Sequence, residues 1–134
     1  MNPDHRFVMA VDIGQARDYT AVAILHSHVE VDRVGPWPDD VDAHRRHDLV
    51  HLERFREMSY PEQVRRIAER YGELEHHAGR VPGDVTCRLA VDATGVGKPI
   101  LDTFREAGLN PLGIIITSGD TATRANGVER VPKR

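Results

Sequence analysis

The sequence predicts an α/β domain built on a mixed β-sheet, and three observations carry that reading. Three strand-like segments come first, and a helix, a strand, a second helix and a last strand follow. Two of the strands also close alike, each on Ala-Val-Asp before a glycine-bearing turn. Consecutive strands pair as hairpins while strand–helix–strand units add parallel neighbours, so the order β-β-β-α-β-α-β makes a mixed sheet with helices packed on it. The 134 residues suit a single domain, 1–134, with one hydrophobic core.

Residues 7–13 form a short apolar run closed by Gly14, which suits a strand buried on both faces. After a polar turn at 14–19, the run 20–25 predicts a second strand, and so short a loop makes the two a hairpin. The stretch 35–46, with Pro36, Pro38 and several aspartates, predicts a loop. A third strand at 48–55 mixes its faces at Leu49, Val50 and Leu52, which suits an edge. The clearest helix runs over 60–78. Ser59 and Glu62 make a capping box and Pro61 falls in the first turn. Val64, Ile67, Ala68, Tyr71 and Leu74 share one face, while Arg65, Arg66, Glu69, Arg70 and Glu73 form a solvated face laced with pairs one turn apart.

Residues 87–92 predict the next strand. The glycine-rich turn 93–97 leads into a helix carrying Ile100, Leu101, Phe104 and Ala107, which Gly108 ends. The run 111–117 is a last apolar strand. The tail 118–134 lacks long periodicity and reads as a loop, with a short strand near 128–131.

Composition narrows the functional classes. Eighteen basic against 21 acidic side chains give a formal charge of −3, so any nucleic-acid contact has to come from a local basic face. The one cysteine, Cys87, excludes an internal disulfide and lies in an apolar-flanked run that reads as buried. No stretch reaches the roughly 20 apolar residues that span a bilayer, and no signal peptide is legible. The expected location is cytoplasmic. The eight histidines lack zinc-site spacing and read as ordinary surface side chains. Gly95-Val96-Gly97-Lys98 is no phosphate loop, because Asp92 stands where the pattern needs glycine and Pro99 where it needs a hydroxyl.

The chemistry centres on the two strand-end aspartates, Asp12 and Asp92. A carboxylate at the end of a buried strand is costly to ionise without compensation, and strand ends beside loops are where sites assemble in open sheets. If the first and fourth strands adjoin, the two charges share a crevice and call for a cation. Mg²⁺ meets that need with one or two carboxylates plus substrate phosphate.

These residues carry a resemblance. The segment 11–21, in which Asp12 and Gly14 precede Asp18-Tyr19-Thr20-Ala21, resembles the first nuclease motif of phage terminase large subunits. The segment 91–100, with Asp92, Gly95, Gly97 and Lys98, resembles the second motif. The run from Ile114 to Asp120 and the closing Val131-Pro132-Lys133-Arg134 are also similar to that family. The resemblance covers about residues 6–134 and implies the ribonuclease-H-like fold of the C-terminal nuclease domain. It implies a two-metal endonuclease acting on double-stranded DNA during viral packaging, with other packaging-motor components as partners, in a bacterial host cell carrying a phage or prophage. Asp12 and Asp92 would be its catalytic and metal-binding carboxylates, holding two Mg²⁺ or Mn²⁺ ions, with Asp18, Asp120 and Lys98 as secondary candidates. The family's ATPase motor does not precede this sequence. The chain also stops before the C-terminal acidic helix, so it reads as truncated there, and Glu129 reads as part of a loop. Three readings stay open: a metal-dependent nuclease, active or decayed; a catalytically silent DNA- or partner-binding module; and a nucleotide-binding domain of the actin/sugar-kinase type.

Overall fold

A computed structural model describes residues 4–15, 17–119 and 122–133. The elements are β1 (His5–Asp12), β2 (Thr20–Arg33), β3 (Val41–Phe55), α1 (Tyr60–Ala78), β4 (Val85–Asp92), α2 (Lys98–Glu106), β5 (Leu112–Thr117), β6 (Thr123–Ala125) and β7 (Val128–Pro132). They form a mixed α/β fold whose seven-stranded sheet has the order β3-β2-β1-β4-β5-β7-β6. β1 is central, antiparallel to β2 and parallel to β4, and the parallel run continues through β5 to β7. No helix among the described residues is long and apolar enough to cross a membrane.

Alternation decides which face is covered. Phe7, Met9 and Val11 of β1, Val22 and Ile24 of β2, and Leu89 and Val91 of β4 point to one side. There they meet Val64, Ile67 and Leu74 of α1 and Ile100, Leu101 and Phe104 of α2 in one buried cluster. Both helices therefore lie on one face. Gly113 lets α2 close on β5, because a Cβ there would stand 2.5 Å from a Leu101 methyl. The opposite face carries neither helix.

The capping box forms as expected. The Ser59 hydroxyl accepts from the Glu62 N–H at 3.4 Å, and the Glu62 carboxylate takes the Ser59 N–H at 2.9 Å. That N–H, followed by the Ser59 hydroxyl, holds the Glu62 carboxyl below its ordinary range.

Three expectations need correction. The third strand begins at Val41, and the loop before it is correspondingly shorter. β2 and β3 run past the core as a two-stranded ribbon, paired from Val29↔Arg45 to Arg33↔Val41, where backbone hydrogen bonds alone set the pairing and apolar alternation is not needed. The tail is not a plain loop. β6 and β7 form a hairpin across Asn126 (φ 52°) and Gly127 (φ 73°), the left-handed pair that a tight two-residue turn requires. Finally, Arg66 and Arg70 do not simply face solvent. Both reach Glu53 on β3, at 3.4 and 3.2 Å, and fasten α1 to the sheet edge. Burial pushes the Glu53 carboxyl up, but the hydrogen bonds and charges of Arg70 and Arg66 outweigh it and hold it low.

The histidines also gather rather than scatter. At the far end of β1, His5, His26 and His28 stack, with ring centroids of His26 and His28 4.8 Å apart and His5 Nδ1 2.9 Å from His26 Nε2. Phe7 stacks on His26 at 4.3 Å, and the His77 ring from α1 meets Phe7 edge-on. Burial, then the neighbouring His28 and His5, lower the His26 pKa against an opposing pull from Asp48. The folded state thus binds fewer protons than the unfolded chain between the lowered value and the ordinary one of about 6.5. The contribution to stability is complete above that ordinary value and is lost as pH falls through the folded one. Urea unfolding from pH 8 to 5 should show this loss, and His26→Phe should flatten it; equal slopes in the two proteins would remove His26 as its source.

Candidate functional site

The two aspartates are brought together. β1 and β4 are parallel neighbours in a register that pairs Ala10 with Ala90, Val11 with Val91 and Asp12 with Asp92. Register partners point to the same side of a sheet. Since Val11 and Val91 face the helices, Asp12 and Asp92 stand side by side on the helix-free face, at the last position of each strand.

The floor around them is apolar and shallow. Ala10, Ala21, Ala23, Ala90 and Ile114 line a trough of about 240 Å³ with the two carboxylates at its rim. Small side chains in the middle of three strands leave the room. The tip of Asp12 is open to solvent, but the alanine floor strips part of its hydration. This desolvation, followed by the charge of Asp92, pushes the Asp12 carboxyl above its ordinary range. Asp92 has one oxygen engaged, its Oδ1 accepting the Thr94 N–H at 2.9 Å in a turn. The Thr94 hydroxyl in turn accepts from the Ile116 N–H at 2.8 Å, which ties the end of β4 to β5.

Two loops fix the strand ends. After Asp12 the Gly14 N–H donates to the Thr20 hydroxyl at 3.0 Å, and that hydroxyl donates to Gln63 Oε1 on α1 at 2.5 Å. Gln63 is buried, and its amide donates to the Met58 carbonyl at 2.9 Å. The chain Gly14–Thr20–Gln63–Met58 locks the loop leaving Asp12 onto the first turn of α1. Thr20→Val keeps the shape and leaves the Gly14 N–H and Gln63 Oε1 without this partner. It should lower stability by about 1–3 kcal/mol in urea unfolding; an unchanged midpoint would count against the lock.

The other predicted residues are less central. Asp18 is exposed, and its N–H closes the loop onto the Gln15 carbonyl at 2.7 Å, a turn-forming role. Lys98 is the exposed first residue of α2, and Asp120 lies outside the described residues. Among the described residues no three histidine, cysteine, aspartate or glutamate side chains stand close enough together to hold a metal ion.

One residue was missed from sequence. Glu129 lies within β7, not in a loop, and its register partner is Ile114, itself the partner of Asp92. Its neighbour Val128 is buried against the helices, so Glu129 faces the same side as the aspartates. One row of the sheet therefore reads Arg54, Ala21, Asp12, Asp92, Ile114, Glu129, Arg124. Glu129 is two strands from Asp92, about 10 Å between Cα atoms. Asn126-Gly127 ahead of Val128 was the available signal, since that dipeptide marks a hairpin and puts the next residues on a strand.

No family model, no curated protein and no solved structure matches the chain. The geometry of the site stands by itself.

Proposed function

We propose that this chain is a ribonuclease-H-like domain that acts as a divalent-metal-dependent DNA endonuclease of the terminase large-subunit kind. The observation that carries the reading is the Asp12–Asp92 pair, two carboxylates in register at adjoining strand ends on an open face. The order β3-β2-β1-β4-β5, antiparallel on one side of β1 and parallel on the other, supports the ribonuclease-H-like assignment. The segments 11–21 and 91–100, similar to the two terminase motifs, support the narrower one.

The donor set suits Mg²⁺ or Mn²⁺. Both ligands are hard carboxylate oxygens, and Asp12 is already destabilised as an anion by its neighbour, a cost that a cation relieves. Such an ion, when bound, supplies charge for the phosphodiester and lowers the pKa of a water. The remaining work belongs to the chain. Asp12 and Asp92 hold the charge at one point of the sheet. The Thr94 N–H orients Asp92 through one oxygen and leaves the other for a ligand. Glu129 adds negative charge farther along the row, and its longer side chain spans part of the gap to Asp92. The open face gives an extended duplex access to the pair. Packaging-motor components and a phage-infected bacterial cytoplasm belong to the same proposal.

A second reading is a catalytically silent DNA- or partner-binding module. One observation favours it: the described residues include no three-ligand metal cluster. Nicking of supercoiled plasmid separates the two. The nuclease converts it to open circle with Mn²⁺ and not with EDTA, and a protein that leaves the plasmid intact with either ion sinks the first reading.

A further inference from the structure

Beyond the carboxylates, the same row holds an arginine whose surroundings are unusual. Arg54 ends the row on the β3 side, paired with Ala21, which is itself the partner of Asp12. Phe55 and Glu53 face α1, so Arg54 shares the open face with the aspartates, two strands from Asp12 and about 10 Å away between Cα atoms. Its guanidinium lies 4.4 Å from the centre of the Tyr19 ring. Arg56 approaches the same ring at 4.9 Å. Tyr19 belongs to the loop that leaves Asp12 and is 43% exposed, so ring and guanidinia are accessible beside the site.

Elsewhere in this protein arginines are matched with acids. Arg46, Arg66, Arg70 and Arg105 each have a carboxylate oxygen within 3.4 Å. Among the described residues Arg54 and Arg56 have none, and their recorded partner is the Tyr19 ring. Two guanidinia gathered on one ring repel each other, and an anion between or beside them removes that cost. Stacking holds each guanidinium by its face and leaves its N–H edge outward, the geometry that grips phosphate with two parallel hydrogen bonds. A chain of negative charges laid along the row meets the arginines on one side and the carboxylate pair on the other. Phosphates recurring along a nucleic-acid strand supply such a chain.

We infer that Arg54 and Arg56, stacked on Tyr19, grip a phosphodiester of the nucleic-acid strand beside the one presented to Asp12 and Asp92. The inference rests on reading that pair as a phosphodiester-cleaving site and names the residues that hold its substrate. Tyr19 is a positioning residue that keeps the two cations together. The grip is independent of the cutting step, so it persists in EDTA.

The test is fluorescence anisotropy of a short labelled DNA duplex in EDTA, read from about 50 to about 200 mM salt. The double variant Arg54→Ala/Arg56→Ala should bind about tenfold more weakly and lower the salt slope by about 2, one unit for each lost phosphate contact. Arg54→Lys/Arg56→Lys, which keeps both charges, should retain the slope. Arg80→Ala, at the far end of the sheet beyond α1, should bind as the wild type does. Wild-type affinity and slope in the double alanine variant overturn the inference, and so does a wild type that does not bind the duplex. Thermal melts matched to the wild type confirm that each variant is folded, and the lysine variant carries the comparison if the alanine variant melts early. The two proposals fail separately. Binding through Arg54 and Arg56 without Mn²⁺-dependent nicking removes the nuclease reading and keeps the grip, whereas nicking with unchanged binding in the double variant does the reverse.

Discussion

Asp12→Asn and Asp92→Asn should each reduce Mn²⁺-dependent nicking by more than about 100-fold, since losing a side chain that merely orients a metal ligand already costs 10–100-fold. Neither change should unfold the protein. Asp12 is raised by desolvation and by Asp92, so its folded-state carboxyl releases its proton at higher pH than in the unfolded chain. The folded state then binds more protons in the window just above the ordinary value of 3.8, and stability falls as pH rises through that window. At pH 8 the ionised pair is a standing cost that an asparagine removes. Asp12→Asn should therefore melt no lower than the wild type in metal-free buffer, and slightly higher if the repulsion is felt. Adding Mn²⁺ reverses the ranking, because an ion that binds only the folded wild type stabilises it by about 2.7 kcal/mol at a hundred times its dissociation constant. Glu129→Gln should show a smaller loss of nicking than either aspartate, as its register position is two strands away. The decisive readout is the combination: a Tm that rises with Mn²⁺ in the wild type and is flat in Asp12→Asn. Identical Mn²⁺ responses in the two proteins would falsify the shared-cation reading whatever the plasmid shows.

What could be read from the residues depended on how local its cause was. The α1 boundaries follow from Ser59, Pro61, Glu62 and Gly79, groups that satisfy backbone donors and acceptors within a turn, and the helix ends where those residues stand. The Asp12–Asp92 pair was legible for a related reason. Two strands in one topological order, each ending on the same residue, leave few other registers for a parallel neighbour. The extent of β2 and β3 was hidden, because residues 29–33 and 41–45 pair outside the core and bury little apolar surface. Glu129 was hidden differently. A charged residue between Val128 and Arg130 looks like loop until the Asn126-Gly127 turn is given its due weight, and its membership of the aspartate row depends on β7 pairing with β5 rather than with any other strand. The arginine pair on Tyr19 was beyond reach, since Tyr19 and Arg54 meet only through the β2–β3 register.

The loop that follows Asp12 gives the strongest structural test of how the site is held. Gly14 sits where a Cβ would stand 2.4 Å from the Tyr19 carbonyl oxygen and 2.6 Å from that of Asp18. Both obstacles are backbone, so no rotamer change relieves them, and Gly14→Ala has to push the strand end and the returning loop apart. Overpacking of this kind costs about 1–3 kcal/mol, and here it also pulls the Gly14 N–H from the Thr20 hydroxyl that joins the loop to Gln63. A loss at or above the top of that range is expected in urea unfolding. The functional effect should exceed what stability alone explains, because the same displacement moves Asp12 against Asp92 and carries Tyr19 away from Arg54. At a temperature where Gly14→Ala remains fully folded, nicking should still fall sharply and duplex binding should weaken. The Gly79→Ala variant is the matched control: a Cβ there meets nothing closer than 3.5 Å and lies at the end of α1, away from the aspartates. Equal nicking by folded Gly14→Ala and Gly79→Ala would mean that the Asp12 strand end tolerates displacement, and that the loop serves stability without tuning the carboxylate pair.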